Sequence, residues 1–223
     1  MTSIPDFYGR FPDLYDRIAT MPGIGRWRRT AARRVASPGA TVVEMGCGTG
    51  ANLPYLRDVV GPDGLVVGVD ITAPLLERAR TRVAAYDNVD VVLADATALP
   101  IREADAVLAT FVCGLLPDPA SVVDRWCDLL RADGRIGLLD ATASTHHLGR
   151  PLNPAFRIFV AAGSPNAGVT ETLSAPFGNT DEVLTHRVAA SRTALARRAV
   201  DREYETFGLG FVGLLTGTVE STD

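Results

Sequence analysis

Glu44, Gly46, Gly48 and Gly50 stand inside the run Val42–Gly50, VVEMGCGTG. Their types and spacing suit binding chemistry. A turn this rich in glycine lets backbone approach a ligand with no side chain in the way. It also presents free N–H groups at the start of the segment that follows. The third glycine arrives one residue too early for the dinucleotide fingerprint GxGxxG. A second acid, Asp70, closes the apolar run Leu65–Asp70, LVVGVD, 20 positions after Gly50. An acid at the end of the second strand of such a sheet accepts hydrogen bonds from the two ribose hydroxyls of a bound nucleoside. A third acid, Asp95, follows another apolar run within VVLADATALP. Each of these has a plain alternative. Glu44 orders the turn, and Asp70 starts the next helix, a role that Thr72 suits better.

These residues need a scaffold that brings strand ends together. Thr41–Met45, Leu65–Val69, Val89–Leu93, Ala104–Phe111 and Gly134–Leu139 read as strands that are apolar on both faces. Helical segments stand between them: Asn52–Val60, one opened by Thr72 and carrying Leu75, Leu76, Ala79 and Val83, and Pro119–Leu130. Apolar strands alternating with helices predict an α/β fold, a mostly parallel sheet covered on both faces. Upstream, Phe11–Met21 and Ile24–Val35 read as two short helices split by Pro22-Gly23. Downstream the alternation breaks over Thr142–Ala199, with weakly helical stretches at Pro154–Ala162 and Thr180–Arg198. The run Arg202–Val219 then reads as two strands joined around Gly208–Gly210.

The order and spacing of these segments resemble the class I S-adenosylmethionine (SAM) methyltransferases, firmly from about Pro5 to Asp140. Their first motif, E/DxGxGxG, is matched by Glu44, Gly46, Gly48 and Gly50. The resemblance implies a Rossmann-like seven-stranded sheet, mostly parallel with an antiparallel C-terminal strand. It implies one domain over residues 1–223, with an N-terminal helical arm over 1–37. It also implies an insertion over 142–199, between strands five and six, above the acceptor. SAM is the cofactor expected. Gly46, Cys47, Gly48, Thr49 and Gly50 would lie under its amino-acid tail, with Glu44 facing the ammonium. Asp95 would face the adenine amino group, and Ile71 and Ala96 would line the adenine pocket. Phe111 would pack below the methionine portion, or serve as ordinary core.

Phe7-Tyr8 and Leu14-Tyr15-Asp16 resemble the Tyr-Asp element of the ubiquinone/menaquinone-biosynthesis methyltransferases. That resemblance implies an arm folded over SAM, with Tyr15 touching the donor or packing the arm onto the sheet. His146 and His147 follow the fifth strand, where an imidazole can take a proton from an amine, phenol or carbon acid. Two adjacent histidines in a Thr/Ser-rich loop also read as solvated. The Arg26-Trp27-Arg28-Arg29 and Arg33-Arg34 clusters suit anionic lipid headgroups, or a solvated helix face. Pro151–Ala162, PLNPAFRIFVAA, resembles a segment of bacterial phospholipid N-methyltransferase-like proteins, which implies an apolar lid for a greasy acceptor.

Bulk properties narrow the class. The chain has 223 residues, 47% of them hydrophobic, enough for one α/β domain with a sizeable core. A net charge of −4 gives no support to a nucleic-acid partner. The sequence contains no Lys, so a catalytic lysine is excluded. Cys47, Cys113 and Cys127 have no metal-like spacing, and no metal is expected. No apolar run has the length of a membrane span, and the N-terminus lacks a signal-peptide pattern. The expectation is a cytoplasmic enzyme, with peripheral membrane contact if the acceptor is a phospholipid amine or quinone precursor. A methyltransferase for a polar small metabolite and a SAM-binding protein without turnover are the alternatives. An NAD(P) oxidoreductase is disfavoured by the glycine spacing.

Overall fold

The computed structural model describes Asp16 and residues 23–99, 103–162 and 181–220. Helix α1 is Ile24–Val35, followed by β1 Thr41–Met45, α2 Leu53–Val60, β2 Leu65–Asp70, α3 Ala73–Val83 and β3 Val89–Leu93. Then come β4 Ala104–Thr110, α4 Pro119–Asp128, β5 Leu130–Ala141 and α5 Asn153–Ala162. The order closes with α6 Glu182–Arg198, β6 Ala199–Phe207 and β7 Val212–Val219. The seven strands form one sheet in the order β3-β2-β1-β4-β5-β7-β6. Strands β1 to β5 run parallel, and β7 is antiparallel to both β5 and β6.

Alternate residues of each buried strand face opposite layers. Val42, Leu108, Leu139 and Leu214 join a core with α1, α2 and α3. Val43, Val107, Leu138 and Leu215 join a second core with α4 and α6, where Trp126 is 1% exposed. The outer strand β6 carries Asp201, Arg202, Glu203 and Glu205 along its exposed stretch, which discourages pairing with another sheet edge.

Several expectations shift in detail. Strand β5 starts at Leu130, not Gly134, so α4 ends at Asp128. Helix α2 starts at Leu53, with Asn52 at the N-cap position making no side-chain cap. The stretch expected to be a lid is divided. Helix α6 places Val188, Ala194 and Leu195 in the core, packed beside α4. The helix read over Phe11–Met21 lies outside the described residues apart from Asp16, and so does Tyr15.

The strand order reverses between β1 and β4, because β1 continues outward to β2 while the chain returns to β4 on its other side. In an open α/β sheet the crevice beyond the carboxyl ends of such a pair is where a ligand fits. The glycine turn after β1 and the turn after β4 both open there.

Candidate cofactor site at the glycine turn

Gly46, Gly48 and Gly50 all have positive φ, at 67°, 55° and 74°. An L side chain is strained in that region, so the GxGxG spacing follows from the backbone path. Space adds a second constraint at Gly46, where a Cβ would collide with a methyl of Val112. The turn is tied down by backbone bonds. Cys47 donates to the Val69 carbonyl at 2.8 Å and Gly50 to the Cys47 carbonyl at 2.9 Å.

Asp70 reaches this turn from the end of β2. Its Oδ2 accepts from the Gly48 amide at 2.9 Å, and its Oδ1 from the Thr72 amide at 2.8 Å. A carboxylate offers about four acceptor positions. Two therefore remain for a pair of ligand hydroxyls. Thr72 holds the N-cap position of α3 without a side-chain cap bond, and Asp70 anchors the Thr72 amide just ahead of the helix. Beyond Asp70, Ile71 is 50% exposed and Leu93, paired with Asp70 in the sheet, is 55% exposed. Two large apolar side chains left open at neighbouring strand ends form a surface fit for a flat ring. Asp95 is exposed, and its Oδ1 accepts from the Thr97 amide at 2.8 Å. The Ala96 carbonyl accepts from the Trp126 indole N–H at 2.8 Å.

A small crevice, open to solvent, lies beside the turn. Its walls are Glu44, Gly46, Cys47 and Thr49 from the turn, Arg28 from α1, Asn52 before α2, and Thr110 and Phe111 after β4. Phe111 has φ 59°, a strained value for an aromatic residue and a recurrent mark of binding sites. Glu44 is 1% exposed. The Asn52 amide nitrogen donates to its Oε1 and to Thr110 Oγ1, and Asn52 Oδ1 accepts from Arg28 Nη1 at 2.7 Å. Glu44 Oε2 has no partner among the described residues. Burial raises the Glu44 carboxyl to about 8, against the Asn52 bond and the Arg28 charge, with Asp70 adding to the rise.

Thr49 is held from outside the cleft. Its hydroxyl donates to Asp16 Oδ1 at 2.6 Å, and Arg82 Nη1 donates to the Thr49 carbonyl. Arg82 Nη2 also reaches both Asp16 oxygens, at 2.8 and 3.0 Å. Burial raises the Asp16 pKa, but the Thr49 bond and the Arg82 contacts outweigh it and leave the carboxyl below its ordinary range.

The sequence reading did not identify Arg28, Asn52, Thr110, Arg82 or Asp16 as site residues. Asn52 carries a local signal as a polar residue just past the glycine turn, and Asp16 as part of the Tyr-Asp element. Arg28 was grouped with a basic face for lipid, but it is 5% exposed and its guanidinium lies 5.9 Å from the Phe111 ring centre. Arg34 is likewise engaged, with Glu203 and Glu205. His146 and His147 are exposed, lie with their rings tilted and 4.4 Å apart between centres, and do not line the cleft. Phe156 packs on Phe211 at 5.2 Å, whereas Phe159 is 54% exposed. Among the described residues no His/Cys/Asp/Glu cluster could hold a metal, and no helix is long and apolar enough to cross a membrane.

A parallel sheet reversing at β1/β4, with a glycine turn between two acids, defines a nucleoside-binding α/β protein with provision for a charged tail. Residues 42–134 match the family model described as "Methyltransferase domain". The chain is 36% identical over 136 residues to nocamycin O-methyltransferase of Saccharothrix syringae, covering 56% of this chain and 49% of that protein. It is 30% identical over 219 residues to the ubiquinone/menaquinone biosynthesis C-methyltransferase UbiE of Desulfotalea psychrophila, covering 94% of this chain and 85% of that one. The chain thus spans about half the length of the first of these relatives and most of the second. A putative SAM-dependent methyltransferase of Methanococcus maripaludis shares the fold at TM-score 0.66 and 16% identity, covering 97% of this chain and 95% of that chain. The chain belongs to the class I SAM-dependent methyltransferases, whose cofactor is S-adenosyl-L-methionine.

Proposed function

We propose that this chain transfers a methyl group from SAM to a small, hydrophobic or lipid-like acceptor, a quinone precursor or a phospholipid amine. The observation that carries the cofactor half is the pairing of Asp70 with the Gly48 amide, which leaves two acceptor positions beside the glycine turn. The buried, unpartnered Glu44 Oε2 supports the tail half, because a buried carboxylate is stable only with a cation beside it. When bound, SAM supplies a methyl group on a positively charged sulfur.

The residues of this chain then act by placement. Asp70 fixes the ribose, Ile71 and Leu93 flank the ring, with Asp95 and Ala96 at its edge, and Glu44 and the turn hold the tail. We also assign contact with the donor to Tyr15. Phe111 keeps water from the reacting side. Orientation of this kind accounts for much of the rate of a displacement reaction. The acceptor would lose a proton as it takes the methyl group, and that proton passes to a base. We assign that base to His146 or His147, at the acceptor edge of β5. The His146→Ala/His147→Ala double variant is expected to lower kcat by about 10²–10⁴-fold with unchanged cofactor affinity. An unchanged kcat removes the assignment.

The acceptor reading is supported by the similarity to UbiE across most of both chains. The similarity to nocamycin O-methyltransferase favours a second reading, a small metabolite outside quinone biosynthesis. Mass spectrometry of lipids, quinones and polar metabolites from cells lacking the protein separates them. An unmethylated quinone or lipid precursor supports the first, and accumulation confined to a polar metabolite supports the second.

A further inference from the structure

The β6–β7 turn and the carboxyl end of β5 stand at the same end of the sheet as the glycine turn, since β1, β4 and β5 are parallel and Ala141 pairs with Val212. Three pieces are knitted into one rim there. Ser144, in the loop after β5, donates its hydroxyl to the Leu209 carbonyl of the β6–β7 turn at 2.6 Å. Its amide donates to Asn153 Oδ1 at 2.8 Å, and Asn153 Nδ2 returns a bond to the Ser144 carbonyl at 3.1 Å. Phe156 of α5 packs on Phe211 at the start of β7. On this rim Leu148, Leu152, Phe159 and Leu209 are all exposed. Large apolar side chains grouped in the open mark an interaction surface.

Leu209 carries the sharpest mark. Its φ is 58° and its ψ 28°, a left-handed conformation that strains a leucine and suits the flanking Gly208 and Gly210. Strain held beneath an exposed apolar side chain points to a contact made outside the chain. Charge indicates the partner. From Thr142 to Ala161 the sequence has two arginines, two histidines and no acid, in a chain of net charge −4. His146, His147 and Arg150 are exposed on either side of Leu148. Apolar anchors set among cations suit the headgroup layer of an anionic bilayer. The basic face of α1 suits it less, because Arg28 is bonded to Asn52 and Arg34 to Glu203 and Glu205. We propose that this rim docks on an anionic lipid surface, with Leu148, Leu152, Phe159 and Leu209 entering the headgroup layer and Arg150 pairing with lipid phosphates. The inference rests on the lipid-like acceptor proposed above, which such docking would deliver from the bilayer.

The test is co-sedimentation with vesicles of phosphatidylcholine, alone or mixed with phosphatidylglycerol. The wild type is expected to sediment with the mixed vesicles and to be released by about 0.5 M salt. Leu209→Gly and Leu148→Ser should each bind them about five- to tenfold more weakly, because each removes an apolar side chain from the lipid layer. Leu209→Gly should also melt at or above the wild-type temperature, since glycine relieves the strain, which separates a lost contact from a damaged fold. Arg150→Gln should bind several-fold more weakly to the mixed vesicles and equally to phosphatidylcholine alone. Arg33→Gln, on the exposed face of α1, should bind as the wild type does. Wild-type binding by both Leu209→Gly and Leu148→Ser would overturn the proposal, and so would a loss confined to Arg33→Gln. A wild type that ignores vesicles yet methylates detergent-dispersed phosphatidylethanolamine or a prenylated naphthoquinol overturns the docking face alone. A wild type that docks through these residues yet methylates neither supports the face and removes the acceptor reading.

Discussion

The amide of Gly48 donates to Asp70 Oδ2 at 2.9 Å, which locks the turn after β1 to the end of β2. One carboxylate therefore shapes the glycine turn and faces the proposed ribose. Asp70→Ala removes both, and is expected to weaken S-adenosylhomocysteine binding by roughly 2–3 kcal/mol, about 30–150-fold. Calorimetry checks this, and unchanged affinity removes Asp70 from the site.

Glu44 links binding to protons. Burial holds its carboxyl at about 8, against an ordinary value of 4.5. A raised carboxyl favours the neutral form in the folded state. Its contribution is thus greatest below pH 4.5, declines as pH rises toward about 8, and is constant above. Glu44→Gln should raise the melting temperature of the ligand-free protein at pH 8 and change it little at pH 4.5. At pH 7 an arriving ammonium should displace the Glu44 proton. Titration in buffers of different ionisation enthalpy should show release approaching one proton in the wild type and none in Glu44→Gln. Equal release by both proteins would contradict this role.

Arg82 contacts both oxygens of Asp16, which in turn accepts from the Thr49 hydroxyl. Arg82→Met should cost about 1 kcal/mol, or roughly 2–4 °C in melting temperature. The Asp16 pKa is lowered, so its contribution is present above the ordinary carboxylate range and is lost as pH falls through it. The melting difference between wild type and Arg82→Met should therefore shrink below about pH 4. A difference that persists at pH 3 would assign the effect to packing.

Phe159 tests the acceptor. It is 54% exposed on α5. Against an acyl or prenyl chain it would bury an aromatic face worth roughly 1.5–3 kcal/mol. Phe159→Ser should raise the KM of a lipid-like acceptor about tenfold and leave cofactor affinity unchanged. The protein should bind anionic liposomes and release them at about 0.5 M salt. An unaltered KM with no liposome binding would favour the polar acceptor.

Much of the frame was legible before the structure. Runs such as Val42-Val43 and Val66-Val67 read as strands of a sheet covered on both faces, and Gly46, Gly48 and Gly50 read as a turn, where each has a positive φ. Arg28 was not legible. Beside Trp27, Arg29 and Arg33 it reads as part of a solvated basic face, and only the placement of α1 across Phe111 buries it. Asn52 reads as a helix cap, because its bonds run to Glu44, Thr110 and Arg28, residues brought near only by the sheet. Helix α6 packs through Val188, Ser191, Ala194 and Leu195. These residues are mostly small and carry too weak an apolar rhythm to mark a core helix.

Gly48→Val tests the central claim most directly. Its φ of 55° is closed to a β-branched residue, and its amide holds Asp70. Titrating S-adenosylhomocysteine into wild type should give micromolar affinity. Titrating it into Gly48→Val, with its circular dichroism unchanged, should give no binding. Wild-type affinity in a folded Gly48→Val protein would contradict a cofactor site at the glycine turn.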